Sequence, residues 1–298
     1  MGNLSIIIPA YKEPYLNKTI DSLLANAVGE IEIIVVLDGE VPEEPVREDP
    51  RVRIIALRDN LGMRGALNAG IAGAKGDWLM KVDAHCVFCP GYDKILKEDC
   101  AENWLMIPSR YSLNETTWTK GNDDRAKNYH YLSYPLMPEG LYGHSIQVQN
   151  WDLRGRDEFI IDDTMTFQGS SYFVNRKYFL EHIGYYDDRL ETYATFSQDQ
   201  QEVGLKYWLG GGEVKVNKKI WYAHLRKSKG HYKSGKFSFL HKKDQYRKQG
   251  DLWCTKHWMN NEEPNMKYKF EWLVDKFWPV PTWPEDWRKQ WECECTSR

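Results

Sequence analysis

Hydrophobic positions in the first hundred residues fall into two recurring patterns. Leu4 to Ile8, Ile31 to Leu37, Val52 to Leu57 and Trp78 to Val82 are short, nearly continuous apolar runs. Runs of that length with so little polar alternation predict strands covered on both faces. Between them, Leu16, Ile20, Leu23, Leu24 and Ala27 recur at helical spacing up to Gly29, and Leu67, Ile71 and Ala74 do so after Asn60 to Gly65. Strand and helix therefore alternate over residues 4–85, which predicts a mostly parallel, doubly wound α/β sheet. Right-handed crossovers in such a sheet bring the loops with Tyr11, Asp38, Arg64 and Asp83 to one edge, where open α/β sheets bind ligands.

The pattern loosens further on. Tyr92 to Cys100 reads as a helix and Trp104 to Ile107 as a strand, whereas residues 110–165 are polar and aromatic with weak periodicity and read as insertions over the active face. Order returns at Thr166 to Val174. A short helix over 176–183 and a longer one over 198–209 follow, the latter carrying Asp199, Glu202 and Trp208 and stopped by Gly210 to Gly212. Glu213 to Val216 and Ile220 to His224 read as two short strands. Residues 226–248 hold nine Lys or Arg against Asp244 alone, with Tyr232, Phe237, Phe239 and Tyr246 interleaved. That composition fits either a surface for a polyanion such as nucleic acid or a lid over a nucleotide's phosphates. Seven Trp from Trp253 to Trp291 predict an aromatic extension fastened to the main body. The expected division is residues 1–225 as the main α/β domain and 226–298 as a basic lid segment with a Trp-rich extension.

Chemistry enters at the end of the fourth strand. Asp83 and His85 sit two residues apart, and a carboxylate with an imidazole suits Mn²⁺ or a similar borderline cation better than Mg²⁺. The 298 residues, with 42% hydrophobic and 28% charged content, are ordinary for a globular protein, and the net charge of −3 singles out no partner. The first strand follows the N-terminus directly, so neither a signal nor a transit peptide is expected, and six cysteines are expected as reduced thiols in a cytosol. Cys254, His257, Cys293 and Cys295 have spacings that also allow a zinc site. No run approaches the ~20 residues of a membrane span.

Taken together these motifs resemble GT-A (Rossmann-like) glycosyltransferases. Ser5-Ile6-Ile7-Ile8-Pro9-Ala10-Tyr11 and Val36-Leu37-Asp38-Gly39 are similar to the openings of family 2 glycosyltransferases. Asp83-Ala84-His85, Gly169-Ser170, Phe179 to Asp187, Asp199 to Glu202, Trp208, Gly210-Gly211, His224 to Lys227 and His231-Tyr232 resemble, in order, the polypeptide N-acetylgalactosaminyltransferases. Asp199-Gln200 stands where that family has Glu-Asn. The resemblance implies a metal-dependent transferase moving a sugar from a UDP-sugar to a hydroxyl. It implies Asp83, His85 and His224 as ligands of Mn²⁺ or another divalent cation. It implies Pro9, Tyr11, Glu13, Asp38, Arg64 and Gly169 as donor contacts, with Tyr11 against the base, Asp38 on uracil or ribose, and Arg64 on phosphate or on Asp38. Arg226, Lys227 and His231 become a clamp on the diphosphate, and Asp199 or Glu202 the catalytic carboxylate. Retention is favoured over inversion by the Asp-x-His motif.

The acceptor stays open among a hydroxylated nucleic-acid base, a glycan and a protein. Two rival readings are a sugar-nucleotide pyrophosphorylase, whose Gly-rich basic loop Pro9 to Glu13 does not match, and a catalytically weak binding module, against which Asp83, His85, Asp199, Glu202 and His224 all speak.

Overall fold

The computed structural model describes residues 2–121, 125–135, 145–193, 198–226 and 244–296, apart from the side chains of 244–247 and 294–296. The first elements are β1 (Leu4–Ala10), α1 (Leu16–Asn26), β2 (Ile31–Asp38), β3 (Val52–Leu57), α2 (Gly62–Gly73) and β4 (Trp78–Val82). Along β1, β2 and β4 the apolar runs bury both faces, whereas β3 is the edge strand and leaves Ile54 exposed. Leu4, Ile6 and Ile8 of β1 pack with Leu16, Ile20 and Leu23 of α1, while Ile7 packs on the opposite face with Leu67 and Ile71 of α2. Each such side chain, fully removed from water, contributes about 1.5–3 kcal/mol.

The second half runs β5 (Cys86–Phe88), α3 (Tyr92–Asp99), β6 (Trp104–Asn114), β7 (Thr119–Lys120), β8 (His130–Leu132), β9 (Val148–Asn150), β10 (Ile161–Asp163), β11 (Ser171–Asn175), α4 (Arg176–His182), α5 (Asp199–Gly210) and β12 (Glu213–His224). The main sheet has the order β10-β12-β6-β11-β4-β1-β2-β3, with β5 paired to β12 and β7 to β6. β3, β2, β1 and β4 are mutually parallel, as their apolar runs predict. β11 then inserts antiparallel between β4 and β6, and β12 runs parallel to β6. Two reversals across β11 restore the original direction, so β12 ends at the same edge as β1, β2 and β4. That edge carries Tyr11, Asp38, Asp83 and His224.

Two expectations change. Glu213 to Val216 and Ile220 to His224 are one strand, β12, whose pairing to β6 shifts between Asn217 and Trp221. The break in apolar pattern at Asn217-Lys218-Lys219 marks this irregularity and not a loop. Residues 110–165 are partly built into the sheet, through the extension of β6 to Asn114 and through β10, while β8 and β9 pair with each other.

The C-terminal helices α6 (Asp244–Met259), α7 (Phe270–Phe277) and α8 (Trp287–Thr296) share one apolar cluster with the α2 and α5 side of the sheet. Trp258, Trp283, Trp287 and Trp291 are buried in it. Trp258 Nε1 donates to Tyr193 Oη at 2.8 Å and Trp283 Nε1 to the Leu132 carbonyl at 2.6 Å, so these rings pack within the protein and are not free to stack on a ligand. Among the described residues no helix is long and apolar enough to cross a membrane.

Candidate active site

Asp83 follows the last residue of β4, and its backbone N–H donates to the Ser170 carbonyl at 2.9 Å. The chain bends at Ala84-His85 and does not continue extended, so strand alternation is not what aligns the two side chains. The bend is tied to the end of β12 instead, since Leu225 N–H donates to the His85 carbonyl at 3.0 Å. As a result Asp83, His85 and His224 converge, with one ligand atom from each within 4.8 Å of the others. His224 Nε2 lies 3.2 Å and His85 Nε2 3.9 Å from the same Asp83 oxygen. Among the described residues this is the one group of three His, Cys, Asp or Glu side chains so arranged.

The surroundings fix both protonation and aim. The other Asp83 oxygen takes the Lys81 ammonium at 2.5 Å, and Lys81 also donates to the Gly169 carbonyl. Burial alone would raise the Asp83 pKa, but Lys81 and the hydrogen bond from His224 hold it far below the ordinary carboxylate range. Burial would likewise discharge Lys81, and Asp83 and Asp199 together outweigh it and keep the pKa above the usual lysine value. Burial pushes His224 down to about 4 against the opposing pull of Asp83, so its ring is neutral at pH 7. His85 Nδ1 meets Glu13 at 3.2 Å, the arrangement that leaves Nε2 facing Asp83.

Asp199 opens α5 beside this group. A Cβ built on Gly169 would stand 2.7 Å from Asp199 Oδ2, so the carboxylate lies directly against that glycine. Burial, helped by the charge of Asp83, raises the Asp199 pKa despite Lys81 and Arg64. Asp83 and Asp199 together carry one more charge than Lys81 neutralises. Two imidazoles, a carboxylate and a surplus negative charge fit a borderline divalent cation.

Other residues expected at this site are engaged elsewhere. Asp38 accepts from Leu61 N–H at 2.7 Å and Gly62 N–H at 2.9 Å, which caps the start of α2. Arg64 does not fix Asp38. Its guanidinium is fully buried, paired with Glu202 and bonded to the Asp187 carbonyl at 3.1 Å. Glu202 also takes Lys206 at 2.9 Å. Arg64 and Glu202, expected separately at phosphate and sugar, are each other's partners. Pro9 is partly buried in β1, and Tyr11 is partly exposed beside Lys12 Nζ at 5.5 Å from its ring centre. Arg226 is exposed; Lys227, His231 and most of the basic 226–248 segment lie outside the described residues. Of the residues considered for zinc, Cys254 is buried with its thiol toward Gln198, and His257 is held by Glu263 at 2.6 Å. Cys293 is exposed, and the Cys295 side chain lies outside the described residues.

Lys81 was not singled out in the sequence. Its signal was a lysine inside a buried run, which is tolerated only when a counter-charge awaits it.

A mostly parallel sheet wound on both faces, with an acid and two histidines at its C-terminal edge, defines the class as GT-A glycosyltransferase, and similarity to solved structures supports the fold. A crystal structure of GalNAc-T7 with UDP, GalNAc and Mn²⁺ aligns with a TM-score of 0.60 at 16% identity over 77% of this chain and 44% of that one. S. aureus TarS 1–349 in complex with UDP-GlcNAc aligns at 0.50 and 13% identity, covering 80% of this chain and 62% of that one. The glycosyl transferase family 2 model matches residues 5–184, and the chain belongs to that family. Polypeptide N-acetylgalactosaminyltransferase 3 of Mus musculus is 28% identical over 244 residues, 76% of this chain and 37% of that protein. The uncharacterized glycosyltransferase EpsJ of Bacillus subtilis (strain 168) is 36% identical over 111 residues, 35% of this chain and 32% of that one. The chain thus spans about a third of the length of these relatives.

Proposed function

We propose that the protein transfers a sugar from a UDP-sugar to a hydroxyl acceptor with the help of a divalent cation, Mn²⁺ foremost, held by Asp83, His85 and His224. The observation that carries this reading is the convergence of those three ligand atoms within 4.8 Å at the strand edge. Bound there, the cation would supply Lewis-acid charge to a departing diphosphate. Lys81 and Glu13 orient two of its ligands, which is the work of outer-shell partners at metal sites. The UDP-bearing solved structures of like fold support the choice of nucleotide. Tyr11 is proposed to face the base, and Arg226, with Lys227 and His231, to close on the phosphates.

Asp199 is the proposed catalytic carboxylate, because Glu202 is neutralised by Arg64. Retention is proposed over inversion, supported by the Asp-x-His motif and the His224 segment. One observation favours inversion as a second reading: Asp199 is a carboxylate with a raised pKa, the property of a general base that takes a proton from the acceptor. The anomeric configuration of the first-formed product, read by NMR, separates the two.

The acceptor is proposed among a hydroxylated nucleic-acid base, a glycan and a protein. Residues 1–225 are proposed as the catalytic domain and 226–298 as the segment that completes it. A cytosolic setting is proposed as well; the unpaired Cys86, Cys89, Cys100 and Cys254 support it. The deciding experiment is thermal stabilisation by UDP with Mn²⁺ and with EDTA, followed by mass spectrometry of acceptors. Saturable stabilisation that needs the metal is expected. Absence of UDP binding with every divalent cation tried would refute the reading.

A further inference from the structure

Three cations surround Asp83, Asp199 and His224. Lys81 is engaged by Asp83 and the Gly169 carbonyl, and Arg64 by Glu202. Arg110 is different. Among the described residues no carboxylate lies within ion-pairing distance of it, and its Nε is sealed from solvent without a hydrogen-bond partner. Sealing a guanidinium nitrogen unpaired is costly, and nothing in the packing offsets it. Position supplies a reason. Arg110 stands beside Tyr222 in the β6–β12 register, two residues before the His224 position, so it faces the end of the sheet where the ligand set lies. The side chain as a whole remains partly exposed, so the guanidinium is sealed on one side only.

We propose that Arg110 is a phosphate-binding residue of this site, a fixed cation on β6 that grips the diphosphate of the donor. The proposal rests on the UDP-sugar reading above. A guanidinium presents parallel N–H donors matched to phosphate oxygens, and such charge-assisted pairs are about twice as strong as neutral hydrogen bonds. Mounted on a strand whose neighbour carries a metal ligand, it is in place before the donor arrives, whereas Arg226 begins a segment that follows the last strand. Arg110 would contact phosphate and not the nucleoside, so its effect scales with the number of phosphates.

The test is calorimetric titration of UDP and of uridine into wild type, Arg110→Gln and Arg110→Lys with Mn²⁺ present, each variant first checked by its melting curve. Arg110→Gln is expected to weaken UDP by about 10- to 100-fold and leave uridine unchanged. Arg110→Lys keeps the charge without the fork and should recover part of the loss. Should the Gln variant melt below the assay temperature, the Lys variant carries the test: a severalfold loss for UDP with uridine unchanged upholds the proposal. Unaltered UDP affinity, or equal losses for UDP and uridine, overturns it. So does unaltered UDP affinity with a raised KM for acceptor, which would assign Arg110 to the acceptor instead. A wild-type protein that binds no UDP would refute the donor reading, and this proposal with it; a wild type that binds UDP beside an unaffected Gln variant refutes only the role of Arg110.

Discussion

The first turn of α5 carries two carboxylates three residues apart, and they have opposite fates. Glu202 points into a closed cluster in which its carboxylate and the Arg64 guanidinium are 1% and 0% exposed, with Lys206 on the second oxygen and the Tyr193 ring 4.3 Å from the guanidinium carbon. Asp199 points into a cluster that also has a buried lysine and a partner acid but stays open, since Asp83 keeps 27% of its side chain exposed. The difference lies in charge balance and access, not in residue type. Around Glu202 the cations match or exceed the anions. Around Asp199, the buried Lys81 is shared with Asp83, and Arg64 is committed to Glu202. A closed, balanced group holds structure together, and an open group short of positive charge invites a cation.

The largest effect should come from unbalancing the closed cluster. Glu202→Leu leaves the Arg64 guanidinium buried without a counter-charge and should cost about 3–5 kcal/mol in denaturant unfolding. Arg64→Met combined with Glu202→Leu should recover most of that, because replacing both members of a buried pair by apolar groups is often near neutral. A single variant costing under about 1 kcal/mol would show that the cluster is not the strut described here.

Next in size is the open carboxylate. Asp199→Asn should lower kcat by about 10²- to 10³-fold while donor affinity changes less than about threefold, because a group acting on a proton or on developing charge matters mainly in the transition state. If kcat holds, Asp199 is not the catalytic group, whatever its environment.

His224→Ala comes third. The His224 side chain touches Asp83 and leaves its own Nδ1 unpartnered, so its loss should reduce Mn²⁺-dependent UDP affinity by at least about 100-fold with little change in the ligand-free melting temperature. Asp83→Ala is a poorer probe, because it also strands the Lys81 ammonium in a buried position and should lower stability as well as binding. Metal-dependent binding that survives His224→Ala would remove His224 from the ligand set.

This contrast also explains what the sequence made legible. The acids at strand ends, Asp38 and Asp83, could be read because apolar runs define strands and parallel winding brings their C-terminal ends to one edge. The pairing of Arg64 with Glu202 could not, since 138 residues separate them and only the three-dimensional fold brings them together. Asp38 shows the limit of that reading, because a strand-end acid looks the same in sequence whether it meets a ligand, caps the next helix or does both, and the cap on α2 is what the structure displays. Lys81 hid inside an apolar run, and Arg110 in a stretch without periodicity that the fold turns into a central strand. Local pattern reports where the chain goes; which charges neutralise one another depends on contacts that no local pattern contains.

The smallest predicted effect is also the most specific to the open cluster. Gly169 has no side chain, and a methyl placed there would stand 2.7 Å from Asp199 Oδ2 and 3.0 Å from Gln200 Oε1. Carbon does not approach oxygen that closely, so in Gly169→Ala the Asp199 carboxylate must move by several tenths of an ångström. The fold should tolerate this, because the atoms that yield are the ends of side chains at the mouth of a helix and not backbone. Unfolding free energy should change by less than about 1 kcal/mol. Catalysis should not tolerate it as well, since misplacement on the order of 1 Å can cost about 100-fold and a fraction of that displacement roughly 10-fold. The closed cluster supplies the control. A conservative change there, such as Lys206→Arg, alters neither the Asp199 position nor the ligand set and should leave kcat within about twofold. Steady-state kcat and melting temperature measured on both variants decide the matter: a tenfold fall in kcat confined to Gly169→Ala ties turnover to the position of one carboxylate, and equal kcat in both would mean that Asp199 acts through its charge and not through its placement.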